Sequence, residues 1–408
     1  MEREGFEQSQ LARRARSVFR KGMPSACRKL YWFNWPAHVG GSDTKFVHTL
    51  RLLAGEYDIT VVPNNAGYLQ DREWLDYLRG LGVKWCLPEE IPDRAEGWAI
   101  SLCNGWFFTG GMLGGCVRRG LRVIWSSEMM WHFYGELGAV RYGLVEKVLY
   151  VSPVQRQALE PGYRWAASGM PGPPPGSFAL PSGGPLPPGH EWWGTLPGGP
   201  GGREVPWITA GNYIDPAAFP FRQRGLPKEG GLPFTVGRVS RPDPDKFPLD
   251  FPLSYERLDL RKPARFRVLG WSQQMAGCWA DHSFDARWDL VPAGSVPVAP
   301  FLDSLDIMVY DLGPKFRESW GRSVVEGMLS GVVPLVPRGG GHHLDQLVPH
   351  GLGGFLCDGP EDYRRYARQL QDDPALLARL SQGARKWAVK NLCGQKAHLE
   401  RWHRVFSD

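Results

Sequence analysis

The sequence predicts an α/β protein built on parallel sheets in two successive halves. Three observations carry this. Short apolar runs alternate with stretches of helical spacing between Leu30 and Val151, and the alternation resumes between Phe234 and Asn391. The runs are four to six residues long and bounded by Gly, Pro, Asp or Ser, so they read as buried strands. Between the halves, twenty of the 33 residues from Pro171 to Arg203 are Pro or Gly, and no regular element is expected there.

In chain order, Leu30-Tyr-Trp-Phe-Asn-Trp35 is the first strand. Gly40-Gly41 follows, then a helix from about Ser42 with Phe46, Val47, Leu50 and Leu53 at helical spacing. Ile59-Thr-Val-Val62 is the next strand, followed by a helix near Glu73–Arg79 and the strand Trp98–Leu102. A Gly-rich helix ends near Arg119-Gly120 and leads into Leu121-Arg-Val-Ile-Trp125; Val148-Leu-Tyr-Val151 closes the half. This order is Rossmann-like. The second half is expected to open near Trp207, with strands Phe234–Arg238, Phe266–Gly270, Leu305–Tyr310 and Val332–Val336. One amphipathic helical stretch then runs from Glu361 to Asn391, and a last helix from Gln395 to Phe406. The expected units are a basic segment 1–29, a first Rossmann-like domain 30–170, a Pro/Gly-rich loop and linker 171–206, a second domain 207–394 and a terminal helix 395–408. Within the linker, His190-Glu-Trp-Trp193 reads either as a docking knob or as a loop pinned by two tryptophans.

With 408 residues, 42% hydrophobic and 22% charged, the chain has the composition of a globular protein with sizeable cores. It has no run of about 18 uncharged apolar residues, and Met1 to Gln10 lacks a signal-peptide core. Seven scattered cysteines without a C-x-x-C pair argue against a disulfide frame or a zinc site, so a cytoplasmic location is expected. The net charge of +6 is local. Seven Lys and Arg residues and no acid lie between Leu11 and Leu30, and the rest of the chain sums to about −1.

The most informative stretch lies in the second half. After the apolar strand Leu305-Asp-Ile-Met-Val-Tyr310 comes Glu318-Ser-Trp-Gly-Arg-Ser-Val-Val-Glu326. Val332-Val-Pro-Leu-Val336 and Gly339-Gly340-Gly341 follow. Trp320-Gly-Arg322 opens a helix, Val324, Val325, Met328 and Leu329 give it an apolar face, and Gly331 sits where a C-terminal cap belongs. Two glutamates eight residues apart thus stand at the mouth of one βαβ unit. Open sheets bind ligands there, outside the carboxyl ends of their strands. A carboxylate accepts two hydroxyl hydrogen bonds in a plane and suits a vicinal diol. The N–H groups of Ser319, Trp320 and Gly321 at the helix start favour an anion. Two such glutamates in isolation would be ordinary surface residues; the flanking order sets them apart. It resembles the E-x7-E signature of family 4 retaining glycosyltransferases, whose GT-B fold is two Rossmann-like domains with parallel sheets facing across a cleft.

That resemblance implies metal-independent transfer from a nucleotide-diphosphate sugar, with retention at the anomeric carbon. Carried over by position, Glu318 contacts the donor sugar and Glu326 the donor ribose. Gly237-Arg-Val-Ser-Arg-Pro-Asp-Pro-Asp-Lys246 is similar to the family's second signature, which brings an Arg and a Lys to the leaving diphosphate. Lys246 matches by order. The Arg is either Arg238 or Arg241, and Arg241 is favoured because it lies beyond the strand end. Gly40-Gly41 and the Gly339–Gly341 run resemble the loops that face the donor, so Gly41, Gly340 and Gly341 join Ser319, Trp320, Gly321 and Arg238 on the donor side. Asp345, beyond the glycines, is given no role. On the acceptor side, Ser126-Ser-Glu-Met-Met-Trp-His132 follows a strand where relatives place a His. His132 comes late, and Glu128 competes with it to orient or deprotonate the acceptor hydroxyl. Asp43, Arg118 and Arg119 complete the acceptor set, with Asp43 alternatively a helix cap. Asp243-Pro-Asp245 looks like a D-x-D metal motif, but its loop already brings cations, so neither a metal nor a cofactor is expected.

UDP-glucose is the base-rate expectation for the donor. The acceptor stays open. A glycan or lipid-linked hydroxyl would let the basic segment 11–30 rest peripherally on an anionic membrane surface. A hydroxymethylated base in DNA would instead use that segment with Arg118, Arg119 and Arg122 on phosphates, and some of the eighteen tryptophans as stacking faces. A nucleotide-sugar-binding protein without catalysis is the third reading.

Overall fold

The computed structural model describes residues 29–38, 40–168, 205–227 and 231–407. The basic segment before residue 29 and the stretch from 169 to 204, with His190–Trp193, lie outside the described residues.

Among the described residues, the first sheet has seven parallel strands: β1 (Lys29–Trp32), β2 (Asp58–Val61), β3 (Lys84–Trp85), β4 (Trp98–Leu102), β5 (Arg122–Ser126), β6 (Lys147–Tyr150) and β7 (Trp207–Thr209). Their spatial order is β3-β2-β1-β4-β5-β6-β7. The second has six: β8 (Phe234–Val239), β9 (Ala264–Trp271), β10 (Trp288–Pro292), β11 (Ile307–Val309), β12 (Val333–Pro337) and β13 (Phe355–Cys357), in the order β10-β9-β8-β11-β12-β13. Every pairing between these strands is parallel. All five residues of β4 and all three of β11 are buried, as strands covered on both faces must be, and their sequences are correspondingly apolar. The α/β expectation therefore holds in both halves.

One boundary needs correction. Trp207, expected to open the second half, begins the last strand of the first sheet: Val148 pairs with Trp207 and Tyr150 with Thr209. Trp207 lies against Tyr163 with ring centroids 5.2 Å apart, so apolar burial draws the segment onto the first core. The expected single helical stretch from Glu361 to Asn391 is also split. Helices Pro360–Asp372 and Pro374–Trp387 are separated at Asp373, whose carboxylate accepts from the Leu376 N–H at 2.9 Å. Pro374 disfavours helical backbone at the residue before it and suits the first turn after it.

Four helices position the site. They are α1 (Gly41–Leu53), α2 (Pro153–Ser168), α3 (Arg322–Ser330) and α4 (Gln395–Phe406). Helix α3 buries eight of its nine residues and ends at Gly331, whose φ of 89° is the left-handed cap its glycine permits. Helix α4 packs on the first half. Trp402, Val405 and Phe406 share a core with Leu30, Trp32 and Phe46, and Lys147 Nζ donates to the carbonyls of Val405 (2.8 Å) and Ser407 (2.5 Å). The chain thus returns from the second sheet to the first.

In both sheets the strand order reverses beside the first strand: β1 has β2 on one side and β4 on the other, and β8 lies between β9 and β11. Such switch points open crevices at the carboxyl ends of the strands. Trp402→Ala should leave a large cavity against Trp32 and lower stability by about 3–5 kcal/mol, read as an earlier urea midpoint. An unchanged midpoint would contradict the packing of α4.

Candidate functional site

At the second switch point, β8 leads to the turn Pro244–Lys246 and β11 to Glu318. Asp243 caps that turn by accepting from the Asp245 N–H at 3.1 Å, which presents Lys246. Among the described residues, no group of three or more His, Cys, Asp or Glu side chains gathers to hold a metal. Lys246 Nζ donates to Glu318 Oε2 at 3.1 Å, and the Tyr310 hydroxyl donates to the same oxygen at 3.0 Å. The ammonium also lies 4.6 Å from the Phe316 ring centre. Burial opposes both charges. Lys246 with Tyr310 and Arg241 outweighs it and holds the Glu318 carboxyl below its ordinary range. Against the same burial, Glu318 raises Lys246 above an ordinary lysine. The pair is therefore ionised at neutral pH.

Arg238 and Arg241 separate cleanly. Arg238 is fully buried between the rings of Phe247 and Tyr310 and donates to the carbonyls of Asp311 (2.7 Å) and Lys246 (3.1 Å). It braces the turn from beneath, and its place among donor-contacting residues is corrected: β8 is buried on both faces from Thr235 to Val239, so Arg238 directs its donors to backbone carbonyls inside the domain. Arg241 stands beyond the strand, about half exposed, 3.9 Å from Asp243 and close enough to act on Lys246 and Glu318.

The loop before α3 joins the halves. Ser319 Oγ donates to the Glu128 carbonyl at 2.7 Å, and Ser152 Oγ donates to the Ser319 carbonyl at 2.6 Å. Ser319 thus ties the mouth of the second sheet to the ends of β5 and β6, and its hydroxyl is engaged across the interface. Trp320 is 5% exposed and part of the second core, so its ring is packing and not a ligand face. Gly321 has φ 96°, and a Cβ there would strike Leu344. Gly339, Gly340 and Gly341 all have positive φ, and the loop they form delivers His342, whose Nδ1 accepts from the Glu318 N–H at 3.1 Å. Burial lowers the His342 pKa, with Arg317 adding to the effect, so the ring is a neutral acceptor. Glu326 lies one turn into α3, paired with Arg322 at 2.8 Å. Burial raises the Glu326 pKa against that arginine.

On the facing edge, Glu128 follows β5 and accepts from Lys45 Nζ at 2.6 Å and Ser126 Oγ at 3.2 Å. Burial raises the Glu128 carboxyl against the pull of Lys45. Lys45 projects from α1 and is 1% exposed. Gly41 opens α1 with free space where a Cβ would sit, and burial raises the pKa of Asp43 in the first turn. His132 packs edge-on against Tyr163 of α2, with Nδ1 3.6 Å from Glu136. Its contacts stay within the first half. Arg118 and Arg119 need correction as acceptor residues. They end the helix Met112–Arg118, before β5 begins, and so lie at the opposite edge of a parallel sheet from Glu128. Arg119 donates to the carbonyls of Ile91 (2.9 Å) and Gly115 (3.3 Å).

This architecture has close parallels among solved structures. Anabaena Alr3699/HepE, solved with UDP and glucose, superposes at TM-score 0.63 with 12% identity over 93% of this chain and 99% of that one. The chain has the GT-B fold. A glycosyltransferase from Rickettsia africae matches at TM-score 0.63 with 10% identity (93% and 97% of the two chains). Sucrose-phosphate synthase from Thermosynechococcus elongatus matches at 0.55 with 12% identity (93% and 98%). In sequence, the D-inositol 3-phosphate glycosyltransferase of Streptomyces avermitilis is 33% identical over 99 residues, 24% of this chain. The matched stretch spans about a fifth of that relative's length. No family model matches. The resemblance to family 4 glycosyltransferases thus extends from motif order to the GT-B architecture.

Within the GT-B frame, sequence reasoning missed Lys45, Tyr310 and His342. Lys45 is one turn beyond Gly41, and a lysine at an otherwise apolar helical position was the available signal. His342 directly follows the glycine run. Tyr310 gave no signal, since it reads as the end of an apolar strand.

Lys45→Met should leave Glu128 buried without its cation and cost about 3–5 kcal/mol. Glu128 already has a raised folded pKa, so its charge opposes folding above that pKa and the cost falls as it protonates. The penalty, measured by urea unfolding, should be larger at pH 8 than at pH 5, and Glu128→Gln added to Lys45→Met should recover most of it. Equal penalties at both pH values would contradict the pairing.

Proposed function

We propose that the chain is a glycosyltransferase that moves a hexose from a nucleotide-diphosphate sugar, with UDP-glucose as the donor, to a hydroxyl acceptor. The observation that carries this is the ionised Lys246–Glu318 pair at the mouth of the second sheet. The solved HepE complexes with UDP and with UDP-glucose support the choice of donor. In this reading Lys246 and Arg241 face the diphosphate and stabilise the charge that grows on its leaving oxygen. The N–H groups that open α3 add partial positive charge there. Glu318 accepts from hydroxyls of the donor sugar, and Glu326 from the ribose.

Transfer proceeds with retention and without a metal. The acceptor oxygen attacks the anomeric carbon on the face the diphosphate leaves. The carbon–oxygen bond to the diphosphate breaks, its electron pair stays on the phosphate oxygen, and that oxygen takes the acceptor proton. Two cations and a helix start supply the electrostatic role a metal would otherwise fill. Glu128, at the facing edge, is the acceptor-side carboxylate of this proposal. His132, engaged with Glu136 and Tyr163, is left to hold its loop.

The test is UDP formation and label transfer from UDP-glucose into a mixed acceptor pool. Glu318→Ala and Lys246→Ala should each lower turnover by about 10²- to 10³-fold while circular dichroism stays unchanged. Near-wild-type rates in both variants would sink the assignment. Tight nucleotide-sugar binding with no turnover by the wild type would favour the non-catalytic reading.

A further inference from the structure

The first sheet carries a feature that the donor site does not use. Among the described residues between 29 and 168, three large apolar side chains are strongly exposed: Tyr68 (40%), Trp106 (57%) and Trp131 (42%). All three are aromatic. Each follows the carboxyl end of a strand: Tyr68 after β2, Trp106 after β4 and Trp131 after β5. In a parallel sheet these ends share one edge, the edge that holds Glu128 and meets Ser319.

Contacts join the loops into one rim. Tyr68 lies against Trp35, which follows β1, with ring centroids 5.9 Å apart. Asn104, after β4, donates to Asn64 Oδ1, after β2, at 2.8 Å and to the Phe33 carbonyl at 3.1 Å. Gly105 abuts the Phe133 ring so closely that a Cβ would collide with it, which seats the Trp106 loop on the Trp131 loop. The rim segments 33–38, 63–70, 103–111 and 127–135 contain no Lys or Arg.

We infer that this rim is an acceptor subsite for a neutral saccharide, so that the acceptor is a pre-existing glycan. The inference rests on the transferase reading and names its acceptor. Exposed aromatic surface in one contiguous place marks a binding face. Aromatic walls with a few amides and one carboxylate suit the apolar faces and hydroxyl edges of sugar rings. A nucleic acid would need exposed cations against its phosphates; the rim segments carry none, and Lys45, paired with Glu128, is buried. The rim is continuous with Glu128 and the Ser319 contact, so a glycan on it would extend towards the donor mouth.

The experiment is saturation-transfer NMR on the full chain with neutral cello-, malto-, manno- and chito-oligosaccharides, and with a duplex containing hydroxymethylcytosine. The wild type should bind at least one oligosaccharide. Trp106→Ala with Trp131→Ala should weaken that binding about tenfold or more. Each ring is only about half exposed, so the variant should lower the unfolding midpoint while staying folded by circular dichroism at the binding temperature. Leu249→Ala with Leu352→Ala, exposed apolar residues of the second half, should change nothing. Three results would each overturn the inference: no oligosaccharide bound by the wild type, equal binding by the tryptophan variant, or tighter binding of the duplex than of any sugar. UDP formation from UDP-glucose is read separately. Its absence with the rim still binding sugars sinks the transferase reading alone.

Discussion

A lysine and a glutamate that hold each other charged out of water organise this molecule. Each ion alone would suffer a desolvation cost of several kcal/mol at its site. Lys246 and Glu318 offset that cost mutually, and each is fixed from behind. Arg238 and the Asp243-capped turn hold Lys246, while Tyr310 and His342 hold Glu318. These braces come from β8, β11 and the loop after β12, so the pair forms only when the second sheet closes in its parallel order. Ser319, next to Glu318 in the chain, then anchors the pair to the first sheet.

A second buried pair, Lys45–Glu128, faces it across that contact. The two pairs differ in electrostatic state. Glu318 is pulled below its ordinary pKa by two cations and a phenol, whereas Glu128 is pushed above it by burial that Lys45 does not fully offset. Two carboxylates pushed apart in this way are suited to different tasks, one fixed as an anion and one closer to accepting a proton.

Much of the fold was legible because parallel strands buried on both faces leave continuous apolar runs. Trp98–Leu102 and the helix Gln395–Phe406 appear with the bounds the sequence suggests, and the Gly331 cap is where the pattern placed it. The strands that escaped are short or edge elements. Lys84–Trp85 has two residues, and Phe355–Cys357 has three beside glycines. Trp207–Thr209 follows a proline and a Pro/Gly-rich stretch, and tertiary burial alone assigns it to the first sheet. Of the site, the charged residues were visible through their order along the chain. Direction was legible only in part. Arg241 lies beyond the strand end, as its position suggests, but Arg238 lies within β8, which is buried from Thr235 to Val239, and Arg118 and Arg119 precede β5 and so sit at the amino edge of the sheet, away from Glu128. Residues that act through backbone or buried contacts, such as Tyr310 and His342, look like ordinary core in a sequence.

The most direct measurement is a crystal soaked with UDP-glucose. The account predicts diphosphate oxygens within about 3 Å of Lys246 Nζ, sugar hydroxyls on Glu318, and the hexose turned towards Glu128. Nucleotide bound elsewhere, with Lys246 still closed on Glu318, would contradict it.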